Sequence, residues 1–372
     1  MFSPVERERY ARQLALPGFG EEGQRRLRET SVLLIGAGGL GSPLSLYLAA
    51  AGVGRVGLID GDRVERSNLQ RQILYREKDI GCDKTERAQH RLRALNPDID
   101  IEVHAGLLSA TNALSLFERF DIVADGSDNF PTRYLANDAA VLTGRPLVYG
   151  SVFRFSGQAS VFHFDGGPCY RCLFPEPPPA GAVPDCAEGG VLGVLPGIIG
   201  SIQALEVMKI ASGVGEPLAG RLMIFDGMSG STRYLSVLRD PTCPVCGTSP
   251  TIRELVDYEA FCGATSEAVP SVDARTLARW MDERDDVFLL DVREPFERGI
   301  ASIGGTLIPL GSLDERVEEV PLDRDVVAIC RSGKRSAEAI RLLRRHGHDR
   351  AWNLEGGLQR WRQVVDSSMA EY

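Results

Sequence analysis

Apolar residues fall in short uninterrupted runs separated by stretches of helical composition. Residues 31–35 (SVLLI) form the first run, glycines follow, and Ser42–Ala51 reads as a helix. Val56–Asp60, Ile122–Asp125 and Leu147–Tyr149 are further strand candidates. Continuous apolar strands alternating with helices predict an α/β fold whose parallel sheet is covered on both faces. A second α/β pattern begins near Ser271, with strands at Val287–Asp291 and Val326–Cys330 and a helix over about Ser336 to His346. Between the two patterns periodicity is lost from Cys246 to about Val269. The predicted organisation is a larger domain over 1–247, a linker over 248–269 and a smaller domain over 270–372. Two further segments stand out. Phe174 to Asp185 (FPEPPPAGAVPD) is too rich in proline and glycine for regular structure, and it leads straight into Cys186. The longest apolar run, Val191 to Met208, contains Pro196, Gln203 and Glu206, which predicts a buried helix with an irregular start and not a membrane span.

Composition narrows the partners. A length of 372 residues exceeds the usual single domain, in line with the two patterns. The net charge of −9 offers no basic face for nucleic acid. The N-terminus, MFSPVERERYARQ, carries charges where a signal peptide needs an apolar stretch. Four of the eight cysteines form two CxxC pairs, Cys169 with Cys172 and Cys243 with Cys246. Four thiolates suit a closed tetrahedral zinc, which would staple two distant segments together. Neither pair follows a first strand and opens a helix, as a thioredoxin-like redox pair would. Thiolates available for metal and for catalysis point to a reducing cytoplasm, and a structural zinc leaves Cys186 and Cys330 for sulfur chemistry.

Gly36-Ala37-Gly38-Gly39-Leu40-Gly41 lies between a strand and a helix, and Asp60 ends the next strand. Such glycines let the backbone approach a phosphate at a helix N-terminus, and the acid suits a ribose hydroxyl. By itself this fits any adenine nucleotide, NAD included. Asn68, Arg71 and Lys84 follow the acid, and Asp128 and Asn129 follow a later strand. A triphosphate carries about four negative charges, and its transfer calls for cationic clamps and Mg²⁺. Clustered cations therefore favour ATP, and Asp128 is placed as a magnesium ligand.

The segments RYARQ (9–13), GAGGLG (36–41), LIDGD (58–62), SNLQRQ (67–72), GCDK (81–84) and GSDN (126–129) resemble the ubiquitin-activating-enzyme superfamily. With the two CxxC pairs and PDCAEGGVLGVLPGIIGSIQA (184–204), the resemblance is closer to the adenylyltransferases of molybdopterin and thiamin biosynthesis, over about residues 5–247. It implies a Rossmann-like domain that adenylates the C-terminal glycine carboxylate of a small ubiquitin-fold sulfur carrier ending in Gly-Gly. It places Gly38, Gly39, Asp60, Asn68, Arg71, Lys84 and Asp128 on ATP and magnesium, with Asn129 beside them. It further implies a homodimer in which Arg12 reaches across the interface, and a Cys186 that handles the activated carrier.

Cys330-Arg331-Ser332-Gly333-Lys334-Arg335-Ser336 joins a strand end to a helix start. Successive backbone N–H groups in such a loop form an anion nest. Arg331, Lys334 and Arg335 add the positive surroundings that favour a thiolate. Phosphate hydrolysis and persulfide sulfur transfer both use such a loop. Tyrosine-phosphatase-like loops place an arginine six residues after the cysteine, where this chain has Ser336. The shorter loop resembles a rhodanese, as do LLDVRE (289–294), IPL (308–310) and NLEGGLQRW (353–361), although GIASIGGTLIP lacks the histidine usual in that family. The fused resemblances imply adenylation of the carrier, followed by sulfur transfer from a Cys330 persulfide charged by thiosulfate or a cysteine desulfurase. An activating factor for a ubiquitin-like protein, with the rhodanese fold as a docking module, is the alternative. A dinucleotide-dependent oxidoreductase is disfavoured by the lack of any identifiable hydride-acceptor site. Cys82 and Cys262 read as structural or incidental.

Overall fold

The computed structural model describes residues 2–178, 190–262, 269–284 and 286–370. Cys186, with most of the proline-rich segment before it, lies outside the described residues. The chain divides into two compact units, one reaching to Ala264 and the other beginning at Thr265 apart from a few residues of the proline-rich segment.

The first unit is built on an eight-stranded sheet of order β3-β2-β1-β4-β5-β6-β7-β8. β1 (Ser31–Ile35), β2 (Arg55–Asp60), β3 (Asp100–Ala105), β4 (Ile122–Asp125) and the start of β5 (Leu147–Phe153) run parallel. β6 (Ser156–Phe162), β7 (Arg221–Asp226) and β8 (Ser231–Ser236) continue the sheet antiparallel. Every residue of β1 and β4 is buried, as continuous apolar runs require in a sheet covered on both faces. The order reverses between β1 and β4. Ligands bind beyond the C-terminal ends of strands at such a switch point.

The helix Val194–Ser212 is the apolar run noted in the sequence. Its Leu195, Ile199, Ala204 and Val207 belong to the core that also contains Leu44 and Leu48 of the helix Gly41–Ala51. By length and composition alone it could cross a membrane, but that face is packed inside the unit. Close approach is built in, because a Cβ on Gly200 would lie 2.4 Å from the Leu40 carbonyl oxygen.

Part of the expected linker is packed structure. The short helix Tyr258–Phe261 lies on the first unit, where the Tyr258 hydroxyl donates to Asp138 (2.8 Å), itself in a bidentate pair with Arg171 (2.8 Å for both bonds). All three residues are buried, and Asp138 thus joins Arg171, inside the first CxxC pair, to Tyr258 in the segment that follows the second. Burial also pushes the nearby Cys262 thiol up to about 11.

The second unit has a five-stranded, all-parallel sheet of order β11-β10-β12-β13-β9. Its strands are β9 (Ser271–Val272), β10 (Val287–Asp291), β11 (Thr306–Leu307), β12 (Asp325–Ile329) and β13 (Ala351–Leu354). The helix Lys334–Arg345 packs its Ala339, Ile340 and Leu343 against Val326 and Ala328 of β12. Cys330 immediately follows β12, at the C-terminal end of the central strand.

Candidate functional site

The glycine loop leaves β1 at Gly36, which has a positive φ of 86°. A side chain at Gly41 is impossible, since its Cβ would lie 2.1 Å from the Gly36 carbonyl oxygen. This turn delivers the chain to the N-terminus of the helix Gly41–Ala51. Asp60, at the end of β2, braces it: Oδ2 accepts from Ala37 N–H (2.8 Å) and Oδ1 from Asp62 N–H (2.8 Å). The Tyr75 hydroxyl donates to Ala37 O (2.8 Å), holding the loop from the other side. Burial pushes the Asp60 carboxyl above its usual range, against the opposing pull of Lys84.

A cavity opens over this loop at the strand ends. Gly38, Gly39, Asp60, Arg71, Lys84 and Asp128 all line it, so six of the residues singled out in the sequence are brought together. Lys84 is almost fully buried and pairs with Asp62 at 2.7 Å. The others fall elsewhere. Asn68 is buried outside the cavity lining, its Oδ1 accepting from Glu65 N–H (3.0 Å). Asn129 caps the helix Phe130–Thr143 by accepting from Thr132 N–H (2.9 Å), and it faces an adjoining groove. Arg12, exposed on the helix Ala11–Leu14, does not line the cavity of its own chain.

Sequence reasoning missed Asp62, Gln72 and Arg133, which also line the cavity. Asp62 and Gln72 lie inside motifs already singled out, LIDGD and SNLQRQ. Arg133 stands apart in sequence, one turn into a helix, and only the fold carries it there.

The four CxxC sulfurs converge as the spacing predicts. All lie within 4.8 Å of one another, with 3.6 Å between Cys169 and Cys243 and 3.4 Å between Cys172 and Cys246. Tetrahedral zinc with Zn–S of about 2.3 Å sets its sulfurs roughly 3.8 Å apart, so the cluster fits an ion of that size. Asp240 N–H points at the Cys172 sulfur (3.4 Å), the kind of outer hydrogen bond that steadies a metal-bound thiolate.

In the second unit Cys330 is buried, and its Sγ accepts from Gly333 N–H (3.1 Å) and from the Ser336 hydroxyl (3.2 Å). Gly333 has φ of 90°, which aims its N–H inward. The second glycine of NLEGGLQRW has a steric reason: a Cβ on Gly357 would lie 2.5 Å from the Cys330 carbonyl oxygen. Leu358 N–H in turn donates to that oxygen (2.9 Å).

Arg335 lends less charge to the loop than its place in the sequence suggests. It forms a buried bidentate pair with Glu297 (2.6 and 2.8 Å), which neutralises it. Burial alone would raise the Glu297 carboxyl, but the Arg335 hydrogen bonds outweigh it and hold it below the usual range. A carboxyl depressed on folding adds stability above its ordinary pKa, and that stability is lost as pH falls through the lower folded value. Arg335→Ala is expected to destabilise the second unit by about 3–5 kcal/mol, because it leaves Glu297 buried without its cation. A denaturation midpoint unchanged in the variant would show that the pair is not holding the loop.

A cavity lined by the glycine loop at a switch point, in a chain that also nests a cysteine at a strand end, fits a two-module transferase. The chain belongs to the ThiF family, whose model matches residues 10–245, and it carries a rhodanese-like domain over residues 273–364. It is 44% identical to the probable adenylyltransferase/sulfurtransferase MoeZ of Mycobacterium tuberculosis, over 100% of this chain and 96% of that protein. It is 57% identical to the sulfur carrier protein adenylyltransferase of Thermus thermophilus, covering 69% of this chain and 97% of that one. The adenylyltransferase and sulfurtransferase MOCS3 of Sus scrofa is 44% identical over 98% of this chain and 87% of its own length. The crystal structure of E. coli MccB with MccA-N7isoASN shares the fold at a TM-score of 0.59 and 23% identity, over 66% of this chain and 75% of that one. The chain is thus an enzyme, an adenylyltransferase and sulfurtransferase.

Proposed function

We propose that the chain uses ATP to adenylate the C-terminal Gly-Gly carboxylate of a small ubiquitin-fold sulfur carrier and then converts the adenylate to a thiocarboxylate. The observation that carries this reading is the single cavity lined by Gly38, Gly39, Asp60, Arg71, Lys84 and Asp128. In the reaction a carboxylate oxygen attacks the α-phosphorus, the bond to the bridging oxygen breaks, and pyrophosphate leaves. The glycine loop and the helix N-terminus behind it receive phosphate oxygens. Asp60 accepts from the ribose, and Arg71 and Lys84 neutralise charge developing on the phosphates. Lys84 would exchange Asp62 for a phosphate as the nucleotide enters. Asp128 is assigned to Mg²⁺, which would supply further phosphate neutralisation. Asn129 is assigned to the rim of the site, where its cap fixes the helix that follows Asp128.

In the second step a persulfide on Cys330 attacks the acyl carbon and AMP leaves, giving an acyl disulfide. Attack of a second thiol, assigned to Cys186, on the Cys330 sulfur releases the thiocarboxylate. The resulting disulfide between the two cysteines is returned to thiols by an external dithiol. Thiosulfate or a cysteine-desulfurase persulfide recharges Cys330. Tethering the sulfur carrier site to the adenylating site raises its effective concentration against water.

ATP–pyrophosphate exchange that appears only when a Gly-Gly-ended carrier is added tests the first step. Exchange without a carrier, or none with one, would overturn it.

The exposure of Arg12 supports a role across a homodimer interface. A mixed dimer of Arg12→Ala and Lys84→Ala chains should then recover one working site in the quarter to half range of wild-type exchange. No recovery on mixing would mean that Arg12 acts in its own chain or not at all.

The CxxC cluster is assigned to zinc, with elemental analysis expected to find about one ion per chain. Cys172→Ser should lower the thermal midpoint by ~2–4 °C or more while sparing exchange per folded molecule, given that about 1 kcal/mol alone shifts a domain of this size by that much. A metal-free protein of unchanged midpoint would end the assignment.

A further inference from the structure

Beside the nucleotide cavity lies a second concavity, walled by Phe130, Tyr149, Phe153 and Phe174. The two spaces share Asp128, Arg133 and Val152, so the groove adjoins the nucleotide cavity on the Asp128 side. Among the described residues lining the groove Arg133 is the one cation, and the charged residues beside it are the acids Asp128 and Glu176. Arg133 is buried, with its guanidinium carbon 5.4 Å from the Phe130 ring centre and 5.9 Å from that of Tyr149. Aromatic walls on both sides limit where its fork can point.

We infer that Arg133 receives the terminal carboxylate of the incoming carrier tail and presents one of its oxygens to the α-phosphorus. This rests on the carrier-adenylation reading and names the residue that selects the substrate's charged end. An apolar groove with acids along it repels a carboxylate everywhere except at its guanidinium. The planar fork matches a carboxylate as a lysine does not. A tail ending in glycines suits the passage, because it carries no side chain past the aromatic walls.

Asp125 is the buried acid on which the Arg133 charge acts. It is fully buried at the end of β4, its Oδ1 accepting from Ser127 N–H (2.8 Å). Burial raises its carboxyl, and Arg133 is the foremost opposing influence. The Arg133 guanidinium donates from Nη2 to the Ser127 carbonyl at 3.5 Å.

The test compares two forms of one probe, a small ubiquitin-fold protein ending in Gly-Gly, prepared with its free carboxylate and as its C-terminal amide. Binding of each is measured in the presence of a non-hydrolysable ATP analogue. Wild type should bind the free acid roughly tenfold or more tightly than the amide, the scale of one charge-assisted hydrogen-bond pair. Arg133→Gln should bind both forms equally, with affinity for the ATP analogue changed less than about twofold. A purely structural role would weaken both forms alike and keep their ratio, which would overturn the assignment. Loss of ATP-analogue binding to the same extent would overturn it too, by giving Arg133 to the nucleotide. Where Arg133→Gln folds poorly, Arg133→Gln with Asp125→Asn removes the stranded buried acid and is read the same way. Wild type that binds neither form, with no carrier-dependent exchange, would instead bring down the adenylation reading and this inference with it.

Discussion

Cys330→Ala is expected to abolish thiocarboxylate formation while ATP–pyrophosphate exchange continues at the wild-type rate. The separation follows from where each chemistry sits. Cys330 belongs to the second unit, at the end of β12, and the residues assigned to adenylation line one cavity of the first. Before any carrier is added, the protein should gain the mass of one sulfur atom on exposure to thiosulfate or to a desulfurase persulfide, and the variant should gain none. Alanine also removes the acceptor of two buried hydrogen bonds, from Gly333 N–H and from the Ser336 hydroxyl. Leaving those donors unpaired costs about 1–3 kcal/mol, so a lower stability of the second unit is part of the expectation. Cys330→Ser restores an acceptor but cannot carry sulfane sulfur, and it should be equally inactive with most of that stability regained. Thiocarboxylate made by either variant at the normal rate from the same donor would remove Cys330 from the reaction. The rhodanese fold would then be a docking module, and the chain an activating factor for its ubiquitin-like partner.

The legible parts of the fold are those where burial acts on consecutive residues. β1, β4 and β10 have the bounds read from their apolar runs, because a strand covered on both faces must be apolar throughout. β5 was read too short. It continues past Tyr149 through Gly150 and Ser151 to Phe153, paired antiparallel with β6 along its whole length while only Leu147 to Tyr149 also pair parallel with β4. Gly150 looks like a strand end in sequence, yet a Cβ there would lie 2.4 Å from the Gln203 side chain, so packing demands the glycine. β8 left no apolar signature because all six of its residues are exposed. The sites divide in the same way. Gly38, Gly39, Asp60, Lys84 and the CxxC cysteines are fixed by local rules of spacing at strand ends and turns. Glu297 and Arg133 are defined by what lies opposite them in space. Glu297 neutralises an arginine 38 positions away, and nothing in PFERGI says so. For that reason the loop after Cys330 reads as more positive in sequence than it is when folded.

Asp128→Ala is expected to lower carrier-dependent ATP–pyrophosphate exchange by at least ~10²-fold, the scale of losing several kcal/mol of metal-borne charge stabilisation. Asp128 is exposed at the cavity rim and lines both the nucleotide cavity and the adjoining groove. Among the described residues no hydrogen bond ties its carboxylate into the fold, so its removal should leave the thermal midpoint where it was. Its neighbour provides the contrast. Asn129 caps the helix Phe130–Thr143 through Thr132 N–H, so Asn129→Ala should cost about 1 kcal/mol of stability and only a modest part of the exchange rate. Asp128→Asn separates charge from shape, because it keeps the size of the side chain and one oxygen while losing the anionic ligand a hard cation prefers. It should resemble alanine in rate, and extra Mg²⁺ should recover part of its activity and none of the alanine variant's. Exchange that survives in both variants at the wild-type magnesium requirement would mean the ion is held elsewhere, with the exposed Asp62 beside Lys84 the next carboxylate lining the same cavity.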